Sequence, residues 1–264
     1  MKNKKKLSFN LILGLVLLAL TLIPAIIGIF WTPYNPETMN ASLKLAKVSI
    51  KHIYGCDNFG RDIFSRIMDG SSITLLISFG TVTFGVVIGT IIGAFTGYFG
   101  GIVDEAVMRI NDVALAFPSI LLALVMISVL GSGKYQVMLA LGIAFIPSYA
   151  RIVRGEYIRI KNLDYVKNAK LAGASDIRII FIHILPNVKT VLLSSIMIGF
   201  NNAILAEAGL SFLGIGVQPP DASLGRMLSE AQAYLFTNPG YALFPGVTIL
   251  MIILGFSLIS KEIK

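Results

Sequence analysis

Side chains that could do chemistry are few in this chain, and their spacing defeats most reactions. Two histidines, His52 and His183, and one cysteine, Cys56, are the full complement of these residue types. They leave little for a metal cage, and a single cysteine excludes an internal disulfide. No Asp pair, H-E-x-x-H run or Ser/His/Asp set falls within an apolar stretch, so a membrane-embedded enzyme lacks its machinery. Gly131-Ser-Gly-Lys134 imitates a phosphate loop without the first glycine of that pattern or a following Ser or Thr. Gly214-Ile-Gly216 fails the dinucleotide pattern because position 219 is proline. No cofactor is expected on this chain, and any ATP would be used elsewhere. Glu207, in Leu205-Ala-Glu-Ala-Gly-Leu-Ser-Phe-Leu213, is a lone carboxylate near one end of an apolar run. Two readings stand open for it: an interfacial carboxylate reaching water, or a pathway or gating residue. Asp104, Glu105, Arg109 and Asp112 are spaced for local pairing, Glu105 with Arg109 and Arg109 with Asp112.

The richest polar segment is a basic insert between apolar runs, Leu163 to Asn187. Asp164 is expected to cap a helix over Tyr165–Ala172, which carries Lys167, Asn168, Ala169 and Leu171. Gly173 fits the left-handed position that ends such a helix. After Ala174, Ser175 or Asp176 can cap a second short helix running towards Leu185-Pro186. Two capped helices about a glycine turn make a stiff unit, suited to docking a soluble partner and passing its displacement into the membrane. The bland alternative is a basic loop meeting anionic lipid.

These residues need apolar elements to position them. The chain is 55% hydrophobic and 14% charged, with mean hydropathy +0.80, against about 25% charged in soluble domains. An all-α polytopic membrane protein is expected. About 20 apolar residues cross a hydrocarbon core, and six spans are predicted: Leu11–Trp31 (an uncleaved first span), Ile73–Thr96, Val113–Leu130, Val137–Ala150, Thr190–Phe212 and Tyr241–Ser260. The fourth is the weakest. With both ends cytoplasmic, 15 of the 22 Lys and Arg residues lie inside, eight of them between Arg151 and Lys189. Arg151 then snorkels at the membrane edge. The net charge of +8 reads as anchoring to the cytoplasmic face and needs no nucleic acid. Residues 1–31 form the cytoplasmic N-terminus and first span, 32–70 an external segment, and 71–264 the core, with the basic loop at 151–189.

Gly85, Gly89, Gly93, Gly97 and Gly101 recur every four residues. On a helix they form one strip without side chains, allowing close helix packing; a face that moves or lines a pathway is the functional alternative. Pro24, Pro118, Pro147 and Pro245 fall inside spans and should bend them.

The basic loop resembles the coupling segment of ATP-binding-cassette importer permeases, which carries E-A-A-x-x-x-G and ends in L-P. Five further blocks match in order. They are Gly55-Cys-Asp-Asn-Phe-Gly-Arg-Asp-Ile-Phe-Ser-Arg66, Gly97–Glu105, Ala116–Ser119, Tyr149–Glu156 and Leu210–Pro220. From about His52 to Phe256 the chain is similar to the C-type permeases of dipeptide, oligopeptide and nickel importers. Lys167-Asn168-Ala169 stands where the family has E-A-A, so a Glu-mediated contact to the ATPase is not carried over. The resemblance implies a type I importer permease fold in the cell membrane, with a coupling helix between the fourth and fifth spans. It further implies a second homologous permease, two cytoplasmic ATP-binding subunits and an external binding protein. Peptide is the leading substrate, and nickel or a metal chelate the alternative. A channel would not need the stiff docking helix.

Overall fold

A computed structural model describes residues 8–262. Among them five helices are long and apolar enough to cross a membrane, and a sixth span exists if one bent helix pair is counted as a unit. The first is α1 (Phe9–Phe30), packed along α10 (Gly240–Glu262) and α2 (Ile63–Phe99). Its outward residues, such as Leu15, Leu20 and Ile26, are exposed apolar side chains, as a lipid-facing helix requires.

Helix α2 has 37 residues and is about 55 Å long at 1.5 Å per residue, well beyond the expected Ile73–Thr96. The Asp62 carboxylate accepts the Ser65 N–H at 2.8 Å and starts the helix. Residues 63–70, the end of the segment 32–70, are therefore helical and open α2. Arg66, outside the expected span, is buried with acidic partners and the helix continues through it. Gly100, at φ +69°, ends α2.

The third span is not continuous. Helices α3 (Gly101–Leu115) and α4 (Ser119–Leu130) meet at 90°. Pro118 lacks an N–H and pushes Phe117 away from helical geometry, so the chain turns there. The expected fourth span, Val137–Ala150, is the middle of α5 (Lys134–Ile160), 27 residues long. Its C-terminal turns carry Arg151 and Arg154. Arg154 donates to both Asp104 carboxylate oxygens, at 2.5 and 2.6 Å, and Arg151 pairs with Asp112. Only the Glu105–Arg109 pair forms within α3 as expected, at 3.0 Å. Asp112 pairs with Arg151 of α5 instead of Arg109.

After α6 (Asp164–Leu171) the chain runs unbroken from Asp176 to Phe212. It passes through α7 (Asp176–Arg178), a π-helical stretch (Ile179–Ile184) and α8 (Leu185–Phe212). The anticipated second short helix is thus the foot of the fifth span. Pro186 sits in the first turn of α8, where its missing N–H is tolerated, and the wider π turn before it accommodates its ring. A short helix, α9 (Leu224–Ala231), folds back on α8 and α10.

Helices α2, α4, α5 and α8 share a core of Ile77, Ile127, Leu141, Phe145 and Leu210. A second cluster ties α1 and α10 to the start of α2 and to α9. The third, around Val153, Tyr157, Val166 and Ile180, roots the α6–α7 segment.

Candidate functional site

The segment from Asp164 to Asn187 forms a compact knob. Asp164 is not the cap of α6 but its first residue; the cap position is Leu163, which offers no side-chain bond. The Asp164 carboxylate is exposed, 3.7 Å from Lys167 Nζ, and an acid in the first turn favours the helix dipole without accepting a backbone bond. At the other end Gly173 has φ +84°. The Gly173 N–H donates to Lys170 O at 3.0 Å and the Ala174 N–H to Ala169 O at 3.1 Å, the paired bonds of a Schellman turn. Ser175 caps the next helix by accepting the Arg178 N–H. Asp176 accepts from the Tyr98 hydroxyl at 2.5 Å, and Lys161 Nζ donates to Gly97 O and Tyr98 O at the end of α2. Tyr165 donates to His183 O, and Asn187 reaches both Tyr165 and His183. Val166 plugs the knob into the core, whereas Leu171 is 86% exposed. The knob is therefore fixed to α2, α5 and α8 and presents Leu171, Lys167 and Asn168 outwards.

Gly85, Gly89, Gly93 and Gly97 all face α5, the most extensive helix packing in the structure. A Cβ at Gly89 would stand 2.6 Å from Tyr149 Cβ, and one at Gly97 2.7 Å from Arg154 O. The backbones touch where the side chains are missing. Gly101 leaves the strip, because α2 has already ended at Gly100.

Between α4, α5 and α8 lies an open groove of about 480 Å³. Its wall includes Ser119, Ser148, Ser195 and Asn202 beside Phe145 and Tyr149, and no charged side chain. Hydroxyl and amide groups exposed along membrane-spanning helices gain nothing from lipid. Tyr149 is buried and its hydroxyl has no hydrogen-bond partner, a deficit of about 1–3 kcal/mol.

Glu207 corrects one expectation. It is fully buried, so it is not an interfacial carboxylate reaching water. It accepts from Thr74 Oγ1 at 2.9 Å and Ser211 Oγ at 2.7 Å. Thr74 in turn accepts the Leu224 N–H at 3.3 Å, and Ser211 the Val217 N–H at 3.0 Å. One carboxylate thus joins α2, α8 and the segment leading into α9. Ser211 is one turn along α8, but Thr74 is 133 positions away, invisible to local spacing.

A second buried polar cluster escaped sequence reasoning altogether. Arg61 donates to Asp57 at 2.6 Å and to Glu230 at 2.9 Å, and Arg66 donates to Glu230 at 3.1 Å. Tyr241 also donates to Glu230, at 3.1 Å. Cys56 lies alongside, fully buried, its thiol pushed up to about 11 by burial and then by Asp62 and Asp57. Removing one member of such a cluster leaves a buried charge unpaired, costing about 3–5 kcal/mol. The clue was present in the alternating charges of Asp57, Arg61, Asp62 and Arg66, but the partner, Glu230, is remote.

Residues 85–261 match the family of binding-protein-dependent transport system inner membrane components. The chain belongs to this family. A dipeptide transport system permease of Alkalihalophilus pseudofirmus is 37% identical to this permease over 262 residues, 99% of this chain and 85% of the relative. A glutathione transport system permease of Pectobacterium atrosepticum is 38% identical, covering 89% and 80%. The solved inward-facing MetNI methionine ABC transporter superposes with a TM-score of 0.60 at 20% identity, over 74% of this chain and 94% of that one. The permease therefore has the all-α, membrane-spanning fold of ABC-importer permeases. The family match includes the knob, the groove and Glu207, and begins after the Asp57–Arg66 cluster, which the dipeptide and glutathione relatives span.

Proposed function

We propose that this permease forms half of the translocation pathway of an ATP-driven importer of short peptides. It pairs with a second, homologous permease across the α4/α5/α8 groove. The knob at Asp164–Gly173 seats in one of two cytoplasmic ATP-binding subunits, and an external binding protein delivers substrate to the other side. Both termini are cytoplasmic in this arrangement, which puts most of the basic residues on that face. The carrying observation is the groove: a neutral, hydrogen-bonding wall in an otherwise apolar bundle suits a peptide backbone. The relatives named for dipeptide and glutathione transport support the same substrate class.

ATP closes the ATPase pair, the knobs move with it, and α8 moves with the knob because the helix from Asp176 to Phe212 has no break. Leu171 supplies an apolar contact, and Lys167 meets an acidic residue on the ATPase. The test is uptake in cells carrying the complete transporter and lacking other peptide importers. Labelled dipeptide is expected to accumulate with ATP present, competed by glutathione and not by nickel. Accumulation of nickel in place of dipeptide overturns the substrate class, and uptake without the ATPase subunits overturns the mechanism.

A further inference from the structure

Tyr149 stands where three helices meet. Its ring lies against Gly85 and its Cβ against Gly89 of α2, and its hydroxyl lies at the missing side chain of Gly199 in α8. Two helices have thus given up side chains to make room for one phenol. Only 3% of Tyr149 is exposed, and its hydroxyl has no partner. Buried hydroxyls are normally satisfied, and one left unpaired disfavours the conformation that holds it. Both Tyr149 and Gly199 belong to the wall of the groove. The hydroxyl itself is buried against Gly199 of α8. The same α8 is continuous with the knob, so it is the helix that displacement of the knob would shift.

We propose that Tyr149 is a substrate-contacting residue that the pathway uncovers during transport, its phenol hydrogen-bonding the amide groups of the passing peptide. The inference rests on the peptide reading of the groove and adds to it a residue and a conformational condition. In the state seen here the phenol is occluded and unpaired. Separation of α8 from α5 exposes it, and a peptide that bonds to it favours the separated state. The group is neutral and serves as donor or acceptor, so it engages the backbone shared by all peptides and ignores side-chain charge. Ser148, Ser195 and Asn202 continue the neutral surface along the groove.

The test uses the complete complex in proteoliposomes, with binding protein saturated by each substrate. Tyr149→Phe keeps the ring and removes only the hydroxyl. Dipeptide transport by this variant is expected to fall about 3- to 10-fold, the worth of one neutral hydrogen bond. The preference of the wild type for glycyl-alanine over glycyl-sarcosine, whose amide nitrogen is methylated, is expected to shrink with it. Unchanged rate and unchanged preference overturn the inference while leaving peptide import intact. No dipeptide transport by the wild-type complex removes the peptide reading and this inference together. A second measurement needs no variant: a benzophenone-bearing dipeptide, irradiated during turnover of the wild type, is expected to label the α5 stretch 145–152. Labelling confined to other helices overturns the assignment.

Discussion

Glu207 carries the clearest lesson at the scale of single residues. A lone carboxylate in an apolar run was open to two readings, and burial removes the watery one. Its oxygens satisfy Thr74 and Ser211, which in turn hold the backbone entering α9 and the turn at Val217. Glu207→Ala is expected to leave both hydroxyls without an acceptor and to destabilise the protein by about 2–5 kcal/mol, read as a lower melting temperature in detergent. Glu207→Gln keeps one acceptor oxygen and should lose less. Full peptide uptake by the Gln variant would assign Glu207 to structure alone; reduced uptake by an assembled Gln variant would assign it a part in gating. Residue spacing could flag Glu207 as unusual. It could not supply partners on other helices, just as it could not pair Arg61 with Glu230.

At the scale of elements, the four-residue glycine repeat was readable because helix geometry converts period four into a strip. What the strip faces was not readable. Contact with α5 makes Gly93 intolerant, since a Cβ there would collide with the Ala150 carbonyl. Gly155, on an open part of α5, has nothing within 4 Å of the corresponding position. Gly93→Val is expected to cost about 1–3 kcal/mol or more by overpacking, and Gly155→Ala about nothing. Melting temperatures of the two solubilised variants check the contrast; equal melting would mean that the strip is not a packing seam. The element boundaries moved most where charges stand near span ends. Arg66, Arg151 and Arg154 lie outside the expected spans, yet each is paired with a carboxylate from another segment and its helix continues through it.

For the whole molecule, the proposed transport cycle requires one arrangement: a cytoplasmic knob rigidly joined to α8. Lys170→Cys is expected to react with a membrane-impermeant maleimide only after cells are permeabilised. The native Cys56 stays silent, because it is buried and its thiol, pushed up to about 11, remains protonated at neutral pH. Labelling of intact cells would invert the topology. The amino-acid sequence by itself determined the class, five of the apolar spans, the Gly173 turn and the family, since hydropathy, glycine spacing and short motifs are local properties that survive in one dimension. Tertiary structure decided the right angle at Pro118, the unbroken helix from knob to groove, the burial of Glu207 and the unpaired phenol of Tyr149. Each of these depends on which distant side chains arrive at the same place, and that is settled only when the helices pack.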